Sequence, residues 1–246
     1  IGEVRNQGWE GLLRARLLQR DNFAWDVTLN GTTNKNEIIR LGDVPSIVLS
    51  STQQHREGYP MYGWWARRLE SWEDKNGNGI IEYNDDPALS EIVVSDTAEF
   101  HGYPTPRYEV ALTNGFEFFQ GRVRLDAMVD YKGGHLVYNN TERIRCANRN
   151  NCRGLIDPDA PFFEQAGTIA VRVHPSRTVA GFFEKGDFIR FRELSLSVTP
   201  SDGWITRYLP GRTVTATAAV RNLGILWTDY TGVDPEAFGT TGNRSE

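Results

Sequence analysis

The chain has 246 residues, 39% of them hydrophobic and 24% charged, enough for one large domain or two small ones. Its formal net charge of −5 and its pI near 5.5 argue against a nucleic-acid-binding surface. No run of apolar residues is long enough for a transmembrane helix, which needs roughly 20.

Alternation of apolar and polar residues predicts six β-strands, because successive side chains of a strand point to opposite faces. In chain order they are Arg5–Gln19, Phe23–Gly31, Pro106–Thr113, Phe116–Lys132, Phe188–Val198 and Arg212–Asn222. The alternation changes phase within 188–198, which predicts a β-bulge near Arg192-Glu193. Alternatively, Ile189 and Phe191 lie above a membrane, where the rule for the two faces no longer holds.

The connections between these strands differ in length according to the end of the sheet at which they lie. Residues 20–22, 113–116 and 200–210 form short turns at one end, the last with a helical turn predicted around Trp204–Tyr208. Three long, loop-like segments lie at the other end, at residues 34–103, 133–186 and 223–246. Short turns on one side and long loops on the other are typical of outer-membrane barrels. The sequence therefore predicts an all-β fold, an antiparallel transmembrane β-barrel segment with long extracellular loops.

One of these loops matches the calcium-loop pattern of alternating oxygen ligands. The predicted ligands are Asp74, Asn76, Asn78, the backbone carbonyl of Ile80, and Asp85. Glu82 or Asp86 can substitute for Asp85 in the twelfth place. A structural Ca²⁺ that pins the loop and an Asx- and Gly-rich turn that binds nothing both remain open, and no other cofactor is expected.

The second long loop contains both cysteines of the chain, Cys146 and Cys152, with five residues between them. This spacing permits a small disulfide loop in an oxidising compartment, and the alternative is a pair of free thiols.

Aromatic residues of the first long loop are the only candidates for substrate binding. Tyr62, Trp64, Trp65 and Trp72 either stack on sugar rings or form a small core that holds the loop together, and the second interpretation is favoured. No catalytic motif occurs, so the chain is not expected to be an enzyme.

Several phrases of the sequence resemble those of one protein family. They are Asn6-Gln7-Gly8-Trp9-Glu10, Phe188–Ser197, and the run from Arg221-Asn222-Leu223 through Trp227 to Asp234-Pro235-Glu236. The last is similar to the end of the last-but-one strand and the loop that follows it in SusC/RagA-type TonB-dependent outer-membrane transporters. The resemblance extends over nearly the whole chain.

The resemblance implies that residues 1–246 are the C-terminal part of a barrel of roughly 22 strands. The plug, the TonB box and the remaining strands are expected outside this sequence. Such transporters lie in the bacterial outer membrane, in contact with its lipid, and import glycan or peptide fragments. TonB drives import through the plug, and a SusD-like surface lipoprotein forms the lid.

A second hypothesis remains open: a secreted or surface-exposed, calcium-binding β-protein that acts as a carbohydrate-binding or structural assembly subunit. The two hypotheses differ in what covers the apolar faces of strands 23–31, 123–131 and 212–222, which is either lipid or a second protein layer.

Overall fold

The computed structural model describes residues 2–200 and 214–237. In chain order its strands are β1 (Glu3–Arg20), β2 (Phe23–Arg40), β3 (Ser46–Val48), β4 (Gln53–Arg56), β5 (Gly63–Trp72), β6 (Ile92–Gly102), β7 (Tyr108–Phe118), β8 (Val123–Gly133), β9 (Leu136–Tyr138), β10 (Phe183–Lys185), β11 (Phe188–Val198) and β12 (Ala216–Thr228). The largest sheet is antiparallel with the order β1-β2-β7-β8-β11-β12. The six predicted strands, and with them the all-β fold, are therefore confirmed.

Apolar residues on one face of this sheet line up across all six strands. Leu29 stands between Leu13 and Leu112, and Leu112 stands next to Val129. Residues 194, 196 and 198 of β11 pair with 220, 218 and 216 of β12, so this apolar face reaches the last strand. None of its alternating side chains is buried by other described residues, and Leu13 and Val220 are 62% and 58% exposed.

The predicted turn at residues 113–116 is wrong, because Asn114 and Gly115 lie inside β7. Both are paired on each side, with β2 and with β8. A Cβ at Gly115 would collide with Arg124 Nη2 and Asp26 Oδ2, so this glycine makes room for an ion pair rather than for a turn. The chain turns instead at Phe119-Gln120-Gly121, three consecutive residues with positive φ.

Two register changes keep the apolar residues on one face. The predicted bulge in β11 is present between Phe191 and Glu193. A second one lies between Arg16 and Leu18 of β1, so Leu18 stands opposite Trp25 and Leu17 is left unpaired. Because a bulge adds one unpaired residue, it restores the phase that the alternation would otherwise lose.

The last strand runs beyond its predicted end, because the polar and aromatic phrase after Arg221 continues the pairing with β11 as far as Thr228. The predicted connection at 200–210 and the helical turn around Trp204–Tyr208 lie outside the described residues.

The two long connections were predicted as loops but form a folded loop unit, here defined as residues 41–107 and 134–187. It contains the sheet β3-β4-β5-β6 and the pair β9-β10. Its helices are α1 (Asn140–Ile144), a π-helical turn (Arg145–Arg149), α2 (Arg153–Ile156), α3 (Phe162–Arg172) and a 3₁₀ turn (Ala180–Phe182). Among the described residues, no helix has the length and apolarity that crossing a membrane requires.

The buried core of the molecule lies in this loop unit. One face of α3 packs Ala166 and Ala170 against Leu69, Ile81 and Ile92. A second cluster joins Val171 and Phe182 to the two cysteines. The unit rests on the end of the large sheet where β2, β7, β8 and β11 meet the long connections.

Candidate functional site

The polar face of the large sheet carries two groups of charged side chains. The first, near the short turns, centres on Arg124. Its guanidinium lies 2.8 Å from Asp26 Oδ1, 2.8 Å from Glu117 Oε1 and 2.8 Å from Asp126 Oδ1. These partners come from β2, β7 and β8, so the group ties three neighbouring strands together on the face opposite the apolar one.

The second group, here called the cationic cluster, consists of Arg190, Arg192 and Lys132 and lies near the loop unit. Arg192 Nε donates a 3.0 Å hydrogen bond to Asp130 Oδ2 on the neighbouring strand. Arg190 is 8% exposed and stacks over the ring of Phe188. The sequence predicted no role for these side chains.

The segment after β12, here called the strap (Asp229–Ala237), folds back over the cationic cluster. Arg190 Nη2 donates a 2.6 Å hydrogen bond to Asp234 Oδ1. Arg192 holds both carboxylate oxygens of Glu236, at 3.0 and 3.1 Å, and Lys132 Nζ lies 3.2 Å from the same carboxylate. Two phrases identified in the sequence, one in β11 and one in the strap, are therefore in direct contact.

The charges of the cluster affect the titration of the strap. Partial burial raises the pKa of Asp234, but the hydrogen bonds from Arg190 and from the backbone N–H of Glu236, together with the charges of Arg190 and Arg192, outweigh burial, and the pKa is lowered. Burial likewise tends to raise the pKa of Glu236, and hydrogen bonds from Arg192 and Lys132 lower it below its ordinary value. Both carboxyl groups are therefore held in the ionised form.

The start of the strap is attached to the loop unit. The backbone N–H of Asp229 donates to the carbonyl of Asp187 at 3.0 Å. The amide and hydroxyl of Thr231 both donate to Glu184 Oε2, at 2.8 and 2.7 Å. Tyr230 between them is 4% exposed, and burial raises its pKa to about 12. The strap thus joins the sheet to the loop unit.

Two cavities open on the polar face beside the cluster. One, of about 300 Å³, is lined by Asn30, Thr32, Glu109, Asp130, Lys132 and Arg192 among others. The other, of about 910 Å³, is bordered mainly by amide and hydroxyl side chains, including Asn6, Gln7, Thr32, Thr33, Asn34 and Asn36. Such side chains offer hydrogen-bond donors and acceptors without net charge.

The predicted calcium loop is a preorganised turn. The carboxylate of Asp74 accepts the backbone N–H groups of Gly77 and Gly79 at 2.7 and 2.8 Å. The side-chain oxygen of Asn76 accepts from Asn78 N, and that of Asn78 accepts from Ile80 N. These bonds hold the first three predicted ligand side chains. Asp74 Oδ1 also accepts from Asn78 N, whereas Asp74 Oδ2 and the side-chain oxygens of Asn76 and Asn78 each keep a further lone pair.

The buried Glu91 fixes the backbone of this loop through hydrogen bonds. Its carboxylate accepts the N–H groups of Lys75 and Asn76 on one oxygen and that of Glu82 on the other. Gln165 of α3 fixes the next residues, since it accepts from Ile81 N and donates to Gly79 O. The sequence pattern identified the loop but not these two side chains.

The last predicted ligand, Asp85, and its possible substitute Glu82 accept hydrogen bonds from other side chains of the loop. Asp85 accepts a hydrogen bond from the Tyr83 hydroxyl at 3.0 Å, and Glu82 accepts one from Asn76 Nδ2 at 3.1 Å. Within the described ranges, the only group of three acidic, His or Cys ligand atoms that converge is Glu142 with Cys146 and Cys152. Since those cysteines form a disulfide, that group is not a metal site.

Most of the aromatic candidates are interior residues of the loop unit. Trp64 and Trp65 are 5% and 2% exposed, and Trp64 Nε1 donates to the carbonyl of Leu136 at 2.8 Å. Tyr62 packs edge-on against His55. Trp72 is the most accessible of the four and packs on Phe163 at the start of α3. This placement favours the interpretation as a core that holds the loop together.

Comparisons with known proteins agree with this architecture. No protein-family model matches the chain. TonB-dependent receptor P3 of Formosa agariphila is 22% identical over 261 residues, which covers 96% of this chain and 26% of the relative. TonB-dependent receptor P26 of the same organism is 27% identical over 285 residues, which covers 98% of this chain and 27% of the relative. The chain thus spans about a quarter of the length of these relatives.

Solved structures show the same fold. The RagAB peptide transporter aligns over 97% of this chain and 27% of its own, with a TM-score of 0.67 and 18% identity. The RagAB peptide importer in the closed-closed state aligns with a TM-score of 0.68 and 18% identity, over 97% of this chain and 28% of its own. The predicted similarity is confirmed, since over nearly all of its length this chain resembles a barrel segment of TonB-dependent receptors of the SusC/RagA type.

Proposed function

We propose that this chain forms part of the wall of a TonB-dependent outer-membrane importer of glycan or peptide fragments and has no enzymatic role. The observation that carries the proposal is the apolar face of the six-stranded sheet. Apart from the two bulges, its side chains alternate with mostly polar ones, and none of them is buried beneath another layer of described residues. Such a face is stable when acyl chains cover it.

Spin labels on neighbouring residues test this arrangement in the full-length protein reconstituted in lipid vesicles. Leu29→Cys places the label on the apolar face, and the matched control Thr28→Cys places it on the polar face. We expect oxygen, which partitions into the bilayer, to relax the label at 29 and a water-soluble nickel chelate to relax the label at 28. Equal responses at both positions would contradict the proposal and favour a soluble β-protein.

Import of a polar oligomer agrees with the side chains around the larger cavity, because their amides and hydroxyls match the hydrogen-bonding groups of glycans and of peptide backbones. We infer that a SusD-like lipoprotein covers the loop unit and that TonB supplies the energy through a plug. Deletion of the gene should abolish growth on the imported class of nutrient, and growth should return with the intact gene but not in a strain without TonB.

A structural Ca²⁺ in residues 74–85 is a second proposal, supported by the preorganised side chains of Asp74, Asn76 and Asn78. Ca²⁺ is expected to protect the loop from proteolysis in wild-type protein and in the control Asp157→Asn, and Asp74→Ala should remove the protection. Digestion of the wild type at the same rate with Ca²⁺ and with a chelator would refute the proposal.

A further inference from the structure

Three cations of the polar face converge on one carboxylate that does not belong to the sheet. Glu236 of the strap is held by Arg192 through both oxygens and by Lys132 at 3.2 Å. Arg190 Nε also lies 3.1 Å from Glu236 Oε2. A planar guanidinium that meets a carboxylate with two parallel N–H groups is a strong and directional form of carboxylate recognition.

The sheet by itself does not neutralise these cations. It supplies Asp130, bound to Arg192, and Glu109, 3.8 Å from Lys132. Without the strap, three cations would face two carboxylates. Arg190 is more than nine-tenths buried, and its Nε makes no hydrogen bond despite the ion-pair contact. A buried charge of this kind is unfavourable unless an anion pairs with it.

Space for an external ligand lies directly beside the cluster. The cavity of about 300 Å³ has Lys132 and Arg192 in its wall, together with Asp130, Glu109, Asn30 and Thr32. An acidic end group that enters this cavity meets the two cations that hold Glu236. The remaining wall offers hydroxyl and amide groups to the uncharged part of the same molecule.

We propose that Arg190, Arg192 and Lys132 form a carboxylate-binding site on the polar face, in which Glu236 is a built-in occupant that an acidic solute displaces. This inference rests on the proposed function. It adds that the site recognises the acid group of the imported molecule. Release of Glu236 frees the strap from the sheet, so ligand binding and strap movement are coupled.

Calorimetry on the full-length protein in detergent tests the site without any need for transport. The probes are trialanine and digalacturonate, each compared with a form whose carboxylate is blocked, trialanine amide and digalacturonate methyl ester. Glu236→Gln should tighten binding of an acidic probe roughly tenfold, the scale of one charge-assisted hydrogen bond, because the internal competitor is weakened. Arg192→Gln should abolish that binding, and the control Glu193→Gln, whose partner Arg221 lies outside the cluster, should leave it unchanged.

The outcomes separate this site from the proposed import. Binding of the acidic trialanine alone identifies a peptide terminus as the ligand, and binding of digalacturonate alone identifies a uronate. Equal binding of acidic and blocked forms, or no gain with Glu236→Gln, would overturn the site even if import is observed. Acid-specific binding without import would keep the site and refute the proposed function.

A second measurement leaves all side chains of the cationic cluster unchanged, so its result does not depend on whether the variants of the cluster fold. Val233 is 96% exposed on the strap, so a spin label at Val233→Cys leaves the contacts of the strap in place. Saturating acidic probe should increase the mobility of this label, and the blocked form should not. A label that stays immobile with both forms contradicts displacement of Glu236.

Discussion

At the scale of single residues, the charged group around Arg124 explains a glycine that resembles a turn signal. Gly115 follows an asparagine, the dipeptide that most often marks a hairpin. It lies instead in the middle of β7, under the guanidinium that bridges Asp26, Glu117 and Asp126. Absence of a side chain at this position allows four charged groups from neighbouring strands to meet.

Gly115→Ala should therefore destabilise the protein by about 1–3 kcal/mol, because the added methyl displaces the Arg124–Asp26 pair. Gly31→Ala is the matched control, since a Cβ there meets nothing within 4 Å. Urea unfolding of the full-length protein in lipid vesicles measures both. An equal free energy of unfolding for the two variants would mean that the space left by Gly115 for the Arg124–Asp26 pair does not contribute to stability.

At the scale of elements, the strap is the segment whose attachment depends most directly on charge. The pKa values of Asp234 and Glu236 are lowered in the folded protein. Each carboxylate therefore contributes its full stabilisation above the ordinary pKa, about 3.9 for Asp and 4.3 for Glu, and loses it as the pH falls through the lowered value.

The label at Val233→Cys should accordingly be immobile at neutral pH and become mobile as the pH falls below about 4. With Asp234→Asn and Glu236→Gln added, the label should be mobile across the whole range. Release centred near pH 6 to 7 would point to a histidine rather than to these carboxylates.

The disulfide between Cys146 and Cys152 also stabilises an element, because it closes a short loop that packs against the buried side of α3. Loop closure over so few residues is worth roughly 2 kcal/mol by chain entropy. The double variant Cys146→Ala, Cys152→Ala should increase proteolysis within residues 139–186 and leave unfolding of the large sheet unchanged. If the double variant also destabilised the large sheet, the loop unit and the sheet would unfold as one cooperative unit.

At the scale of the whole molecule, the arrangement of the two sheet faces separates a membrane barrel from a soluble protein. Leu112→Arg puts a charge on the apolar face, and Thr113→Arg, one residue further, puts the same charge on the polar face. In lipid vesicles we expect the first to lower the free energy of unfolding by about 2–4 kcal/mol and the second to change it little. Similar effects of both would argue that water reaches both faces.

The sequence predicted the six strands because the alternation of apolar and polar residues with period two is a local signal, to which the residues of both sheet faces contribute. It also predicted the bulge of β11, since Phe191 and Leu194 break the alternation in a way that one extra residue repairs. The turn at 119–121 was not predicted, because the residues Phe119, Gln120 and Gly121 contain no Asn-Gly or Asp-Gly pair, the usual sequence signal of a hairpin turn.

The loop unit and the cationic cluster were beyond prediction for a different reason. The packing of α3 on Leu69 and Ile81 joins residues about a hundred positions apart, and nothing local encodes it. The cluster had one usable signal, Arg190 and Arg192 spaced by two and Asp234 and Glu236 spaced by two. The equal spacing of opposite charges in two distant segments does not predict an ion-pair cluster unless the fold is known to bring the two segments together.

Arg192 is a surplus residue of β11, because Phe191 and Glu193 stand opposite Val129 and Met128, two consecutive residues of β8. If Arg192 took a place in the ladder, Glu193 would turn to the apolar face and Leu194 to the polar face, and each later position would be inverted as well. The bulge therefore adds a guanidinium to the polar face without changing the parity of the strand on either side of it. Deleting Arg192 should remove this charge and the bulge together and still leave Leu194, Leu196 and Val198 on the apolar face.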